Sequence, residues 1–307
     1  MQEVRKAVIM RFLKIYSKIA LDNGLKVNIL RKSDVKLSDI TSDIDAETEL
    51  LNISNTPVLA IRPTLRKDSK VMMYLHGGSY VSGPIKLQVD FIKKLAIKTK
   101  TTAYIVDYRM APENTYKEAY EDAMNAYRFI VEKHKTEEII IIGDSAGGGL
   151  TLAFTMYLRK LKQPMPQKLI LISPWLDVAL TNKEITKLTD DDDYVLSQKG
   201  LVEAGVAYAG DKPVKDEMIS PLYGDLNGLP ITFLLSGTNE ILVFDCRLLK
   251  KKAEKSDMNL SYHEYEDMFH AFVVAPPVLE EIETATEDII NFINEIVVKG
   301  KRIPIVL

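Results

Sequence analysis

A single cysteine, Cys246, stands among 307 residues, so no internal disulfide holds the chain together. A lone thiol fits a reducing, cytoplasmic compartment. An excess of one charge is also missing: 40 Lys and Arg against 43 Asp and Glu leave a net −3, spread along the chain. A nucleic-acid binder would gather basic residues on one face, so that class is set aside. The start of the chain has no secretory pattern. Val4 to Leu21 is rich in apolar residues, but Arg5, Lys6, Arg11, Lys14 and Lys18 interrupt it at helical spacing. That is not the stretch of roughly 20 mostly apolar residues a membrane span needs, and no small-residue cleavage site follows a short apolar core. The stretch reads as an amphipathic helix. Packing on the body of the protein is the first expectation, cover over a pocket the second, and membrane contact a distant third, with no stable insertion.

What is present describes an ordinary globular chain, 46% apolar and 27% charged, long enough to bury a large core without a metal or disulfide staple. After about residue 55, short β-branched or leucine-rich runs alternate with longer segments of helical period. The runs are Thr56 to Ile61, Val71 to Leu75, Thr102 to Val106, Ile139 to Ile142, Lys168 to Ile172, Ile231 to Leu235 and Leu260 to Tyr262. The helical stretches are Leu87 to Ile97, Tyr116 to His134, Gly147 to Lys160, Val243 to Lys255 and Pro277 to Val298. Such alternation predicts an α/β fold, a mostly parallel sheet with helices on both faces. Residues 177–216 break the pattern and read as a helical cap inserted above the sheet, with Ser197 as a helix N-cap. Residues 1–50 are expected to join that cap, leaving 51–176 and 217–307 as the α/β body. The acidic run Asp190 to Asp193 lacks the Gly and Glu spacing of a calcium loop, so it reads as a solvated turn.

The sharpest local signal is the strand Ile139 to Ile142 running into Gly143-Asp144-Ser145-Ala146-Gly147 and then a helix. This is G-x-S-x-G in the one context where it carries chemistry. Small residues on both sides let the backbone turn sharply and hold the serine hydroxyl up at the sheet's edge. An earlier strand ends in His76-Gly77-Gly78-Ser79-Tyr80, a loop whose N–H groups could approach a substrate closely. On its own that loop is a plain glycine turn. Of the four histidines, His76, His134, His263 and His270, the last follows the final strand, where chain order puts the base for such a serine. His134 reads as a solvated helix end. Either Glu240 or Asp245, after the strand Ile231 to Leu235, is in the right order to orient that base. Each of them is equally at home as a helix N-terminal acid.

These blocks together resemble the hormonesensitive-lipase-like family of α/β-hydrolases. His76 to Tyr80 looks like its H-G-G-G loop, Asp107-Tyr108-Arg109-Met110-Ala111-Pro112-Glu113 like its D-Y-R-L-A-P-E block, and Gly143 to Gly148 matches its G-D-S-A-G-G elbow. His270-Ala271-Phe272 is similar to its H-G-F block, and Ser173-Pro174-Trp175-Leu176-Asp177 and Ser220-Pro221-Leu222 are lesser likenesses. In order, they span residues 71–272. The resemblance implies an α/β-hydrolase fold with a helical cap. It implies Ser145 as nucleophile, His270 as base, the N–H groups of Gly77, Gly78 and Ala146 as oxyanion donors, and no cofactor or metal. It implies a small-molecule ester as substrate, usually with a short acyl chain; a homodimer is left open.

Three departures stand out. Ser79 replaces the third glycine of the loop. Ala271 replaces a glycine, which matters only if that residue has positive φ. Where the family has D-P-L-x-D, this chain has Glu240-Ile241-Leu242-Val243-Phe244-Asp245, and the frame puts Glu240 at the triad acid with Asp245 as the alternative. Asp107, Arg109 and Glu113 are expected to pair and brace the glycine loop. The rivals are a deacetylase or thioesterase on the same scaffold, and a binding protein that kept the fold without the chemistry.

Overall fold

The computed structural model describes residues 25–67, 70–188, 193, 195–298 and 301–303. The expected helix Val4 to Leu21 lies outside them, as do Asp190, Asp191 and Asp192.

The apolar runs become strands because β-branched and long apolar side chains fit a pleated surface covered on both faces. The strands are β1 (Ala46–Ile53), β2 (Thr56–Pro63), β3 (Val71–Leu75), β4 (Thr102–Val106), β5 (Ile139–Asp144), β6 (Lys168–Ile172), β7 (Ile231–Gly237) and β8 (Leu260–Tyr265). They form one sheet in the order β1-β2-β4-β3-β5-β6-β7-β8. The six from β4 to β8 are parallel, and β1 and β2 are antiparallel to their neighbours. The period of two sends alternate residues into two cores: in β5, Ile139 and Ile141 face one, Ile140 and Ile142 the other. Helices α1 (Lys86–Thr99) and α6 (Glu280–Asn294) cover one face. Helices α2 (Tyr116–Lys133), α3 (Ala146–Lys160) and α5 (Val243–Ala253) cover the other, together with α4 (Gln198–Ala209) from the 177–216 stretch. This is the α/β-hydrolase architecture.

Two elements differ from the sequence reading. β1 begins at Ala46, inside the stretch expected to belong to the cap. Half of its residues are exposed and only Ala46 is buried, so it gives no buried-strand signal. It is held by full register with β2 through the two-residue turn Ser54-Asn55, both with positive φ (50° and 69°), the backbone that tight hairpins demand. Helix α6 starts at Glu280 rather than Pro277, with Glu280, Glu281 and Glu283 in its first turn, where carboxylates favour the dipole. It stops at Asn294, and the β-branched Ile296–Val298 pairs antiparallel with Lys301–Ile303 instead.

Helix α4 has Ser197 as its N-cap, as its sequence predicts, with the Ser197 Oγ accepting from the Gly200 N–H at 3.4 Å. The first described residue, Leu25, donates its N–H to Glu203 of that helix at 2.6 Å.

Candidate active site

Four functional segments leave the carboxyl ends of parallel strands, the edge where α/β sheets hold their ligands. β5 feeds the elbow. Gly147 is what permits it: a Cβ there would lie 2.0 Å from the Leu75 carbonyl oxygen, so only hydrogen lets α3 pack against β3. Ser145 is driven to φ 53°, ψ −121°, a region side chains avoid and functional turns hold under strain. The strain is fixed by backbone bonds: the Ser145 N–H donates to the Ile172 carbonyl at 2.8 Å, and its own carbonyl accepts from Trp175 (2.9 Å) and Gly149 (3.1 Å).

Ser145 Oγ lies 2.8 Å from Nε2 of His270, and Nδ1 of His270 lies 2.5 Å from Oε2 of Glu240. All three side chains are at most 7% exposed. His270 follows β8, and Glu240 follows β7. The other oxygen of Glu240 accepts from the Ser173 hydroxyl at 2.6 Å and the Gly237 N–H at 2.9 Å. Ser173 in turn accepts from the Ala271 N–H at 3.1 Å, so one hydroxyl ties the acid's segment to the histidine's. Burial pulls the His270 pKa down, but the charge and hydrogen bond of Glu240, with the charges of Asp193 and Asp144 behind them, leave it above the ordinary 6.5. Ala271 has φ 51°, so its departure from glycine does carry a steric cost.

The structure thus brings together Ser145, His270 and Glu240, and leaves Asp245 apart. Asp245 sits in the first turn of α5, and its Oδ1 accepts from Asn182 Nδ2 at 2.8 Å. Burial raises its pKa to about 7. Cys246 is a buried free thiol, as expected of a small core residue. His263, half exposed, lies 3.3 Å from Asp288.

The glycine loop corrects one expectation. The Gly77 N–H is not free: it donates to Asp144 Oδ1 at 2.8 Å, which also accepts from Tyr74 Oη at 2.5 Å, while Asp144 Oδ2 accepts from Gln88 Nε2 at 3.0 Å. Asp144, the residue before the serine, is therefore a strut between elbow and loop, a role that sequence reasoning missed. Among the described residues the N–H groups of Gly78, Ser79 and Ala146 have no hydrogen-bond partner. Gly78 has φ 123°, open to glycine alone, and Ser79 follows at 54°. His76 stacks on Tyr108 at 4.3 Å, with Nδ1 2.8 Å from the Gly77 carbonyl oxygen. Burial lowers its pKa to about 4, so it is neutral and structural.

The expected pairing of Asp107, Arg109 and Glu113 is also replaced. Arg109 binds Asp122 (2.9 Å) and Glu121 (2.6 Å) on α2. Glu113 binds Arg31 at 2.7 Å, and Arg31 donates to the carbonyls of Val81 (2.8 Å) and Ala111 (2.9 Å). The brace on the loop's far end comes from the N-terminal segment, because an Arg fork spans two carbonyls and a carboxylate at once.

Comparison with known proteins agrees with this architecture. Residues 72–274 match the family model described as alpha/beta hydrolase fold. An esterase of Acinetobacter venetianus is 33% identical over 227 residues, 73% of this chain and 74% of that protein. An acetyl-hydrolase of Streptomyces hygroscopicus is 32% identical over 228 residues, 74% of this chain and 76% of that one. The crystal structure of an esterase from the bacterial hormone-sensitive lipase family superposes with a TM-score of 0.85 at 28% identity, covering 94% of this chain and 96% of the other. The chain belongs to the α/β-hydrolase family.

Proposed function

We propose that this protein hydrolyses small carboxylic esters with short acyl chains through an acyl-enzyme on Ser145. The observation that carries the reading is the unbroken line of contacts from Ser145 Oγ to His270 to Glu240, together with the esterase and acetyl-hydrolase relatives. His270 takes the Ser145 proton as the hydroxyl oxygen attacks the ester carbonyl. Glu240 keeps the Nδ1 proton in place and stabilises the imidazolium without being protonated itself. The oxyanion is held by the N–H groups of Gly78 and Ala146, with that of Ser79 taking the role first given to Gly77. Each such donor is worth about 2.7–4 kcal/mol in the transition state. The alcohol leaves with the proton from His270, and water repeats the path on the acyl-enzyme.

Among the described residues no helix is long and apolar enough to cross a membrane. A cytoplasmic location belongs to the same proposal, resting on the single, buried, free Cys246. So does a homodimer, for among the described residues β8 pairs with β7 alone and leaves its other edge open; sedimentation velocity tests it. The test of the function is hydrolysis of p-nitrophenyl esters from acetate to decanoate by the wild type and by Ser145→Ala. Cleavage of short esters, abolished in the variant, is expected. Equal rates in the two proteins, or no cleavage of any member, would overturn the reading.

A further inference from the structure

The last residue of the acidic run is not the solvated turn that its composition suggests. Asp193 is 1% exposed. Its Oδ1 accepts from the N–H groups of Val195 (2.7 Å) and Leu196 (2.9 Å), a local turn that leads into α4. Its Oδ2 does something different. It reaches across 48 residues of sequence to accept the N–H of Ile241 at 2.8 Å. Ile241 is the residue directly after Glu240. A buried carboxylate is costly unless its oxygens are satisfied, and here each oxygen is used, one on the cap and one on the segment that carries the acid.

We propose that Asp193 is a positioning residue for the Ser145–His270–Glu240 relay: it fastens the cap insertion to the backbone beside Glu240 and adds a second negative charge behind His270. The inference rests on the proposed roles of those three residues. Glu240 alone would be held by Ser173 and Gly237 on one oxygen and His270 on the other, contacts that fix its side chain. Asp193 fixes the main chain that follows it. Since Asp193 belongs to the 177–216 stretch, the geometry of the relay depends on how that stretch is seated. The charged groups acting on His270 are Glu240, Asp193 and Asp144, all negative. Removing one lowers the pH at which the imidazole gives up its proton. Burial raises the pKa of Asp193 itself to about 6, against the pull of His270 and the three N–H donors, so it is ionised where the base works.

The test is the pH profile of kcat and KM for p-nitrophenyl acetate in Asp193→Asn, Asp193→Ser and, alongside, Glu240→Gln. Asparagine keeps the turn acceptor but turns an N–H toward Ile241. Serine keeps a shorter turn acceptor and leaves room at the Ile241 N–H, so it covers the case in which asparagine fails to fold. The expected result is a loss of about tenfold in kcat, the size of one charge-assisted hydrogen bond, with KM changed far less. The acid limb moves to lower pH by about half a unit or more. A purely structural role would reduce the folded fraction and leave the limb where it was. A folded Asp193 variant with wild-type kcat and limb overturns the inference while a crippled Glu240→Gln leaves the relay standing. A fully active Glu240→Gln would instead take down the relay itself.

Discussion

The Ser145 side of the candidate site and the Glu240 side are held by different physics. Around Ser145 the constraint is steric and lies in the backbone: Gly147 admits the Leu75 carbonyl, Gly78 adopts φ 123°, and main-chain bonds to Ile172, Trp175 and Gly149 fix the turn. Around Glu240 the constraint is a net of side-chain hydrogen bonds, from Ser173, His270 and Asp193, drawn from three separate stretches of chain. Steric requirements restrict residue type at fixed spacing, so the elbow is written in five consecutive residues. A hydrogen-bond net asks only for a donor or acceptor somewhere near, so its members are scattered.

The comparison breaks most sharply at Gly147. Gly147→Ala puts a Cβ 2.0 Å from the Leu75 carbonyl oxygen, with rigid backbone on both sides. A destabilisation above about 4 kcal/mol is expected, read as loss of the cooperative melt or of soluble protein. A well-folded variant would mean that the turn relaxes more easily than its contacts imply.

On the acid side the fold should survive while chemistry fails. Glu240→Gln keeps size and most hydrogen bonds but removes the charge that stabilises the imidazolium, for a drop in kcat of about 10³–10⁴-fold. Its residual activity should have an acid limb at lower pH than the wild type, because Glu240 holds the His270 pKa above 6.5. The rate needs neutral imidazole, so in the wild type it falls as pH drops through that raised value. Asp245→Asn, by contrast, should leave kcat within about threefold, since Asp245 bonds Asn182 rather than His270. A pH–rate series on the two variants separates them, and the reverse ranking would transfer the acid's role to Asp245.

The smallest effect is expected at Ala271, which sits at φ 51° beside the base. Ala271→Gly relieves a left-handed strain of about 1–2 kcal/mol and gives back about 0.4–1 in unfolded-chain entropy. A net gain of about 0.5–1 kcal/mol is expected in a denaturant melt; a loss would show that the left-handed backbone is not strained at this residue.

The same contrast explains what the sequence made legible. The strands from β2 to β8 and their helices follow from apolar runs and helical period, and the elbow follows from its glycines. Ser145 and His270 meet because chain order at a parallel sheet's carboxyl edge leaves few alternatives. Glu240 and Asp245, two carboxylates five residues apart, are equivalent as letters; what separates them is that one precedes α5 and the other lies within it. Asp193 was obscured by three acids beside it, since composition registers a charged run and not which member is buried. The donor misassigned to Gly77 turns on one carboxylate, Asp144, whose direction no spacing specifies. β1 was missed because an edge strand need not be apolar.

The central claim is that one nucleophile, Ser145, carries the acyl group. Its most direct test is intact-mass and peptide mapping after reaction with a serine-directed phosphonate ester, in the wild type and in Ser145→Ala. A single adduct is expected on the peptide holding Gly143 to Gly149, formed with loss of esterase activity and absent from the variant. An adduct on another residue, or full inactivation of the enzyme with Ser145 unmodified, would contradict it.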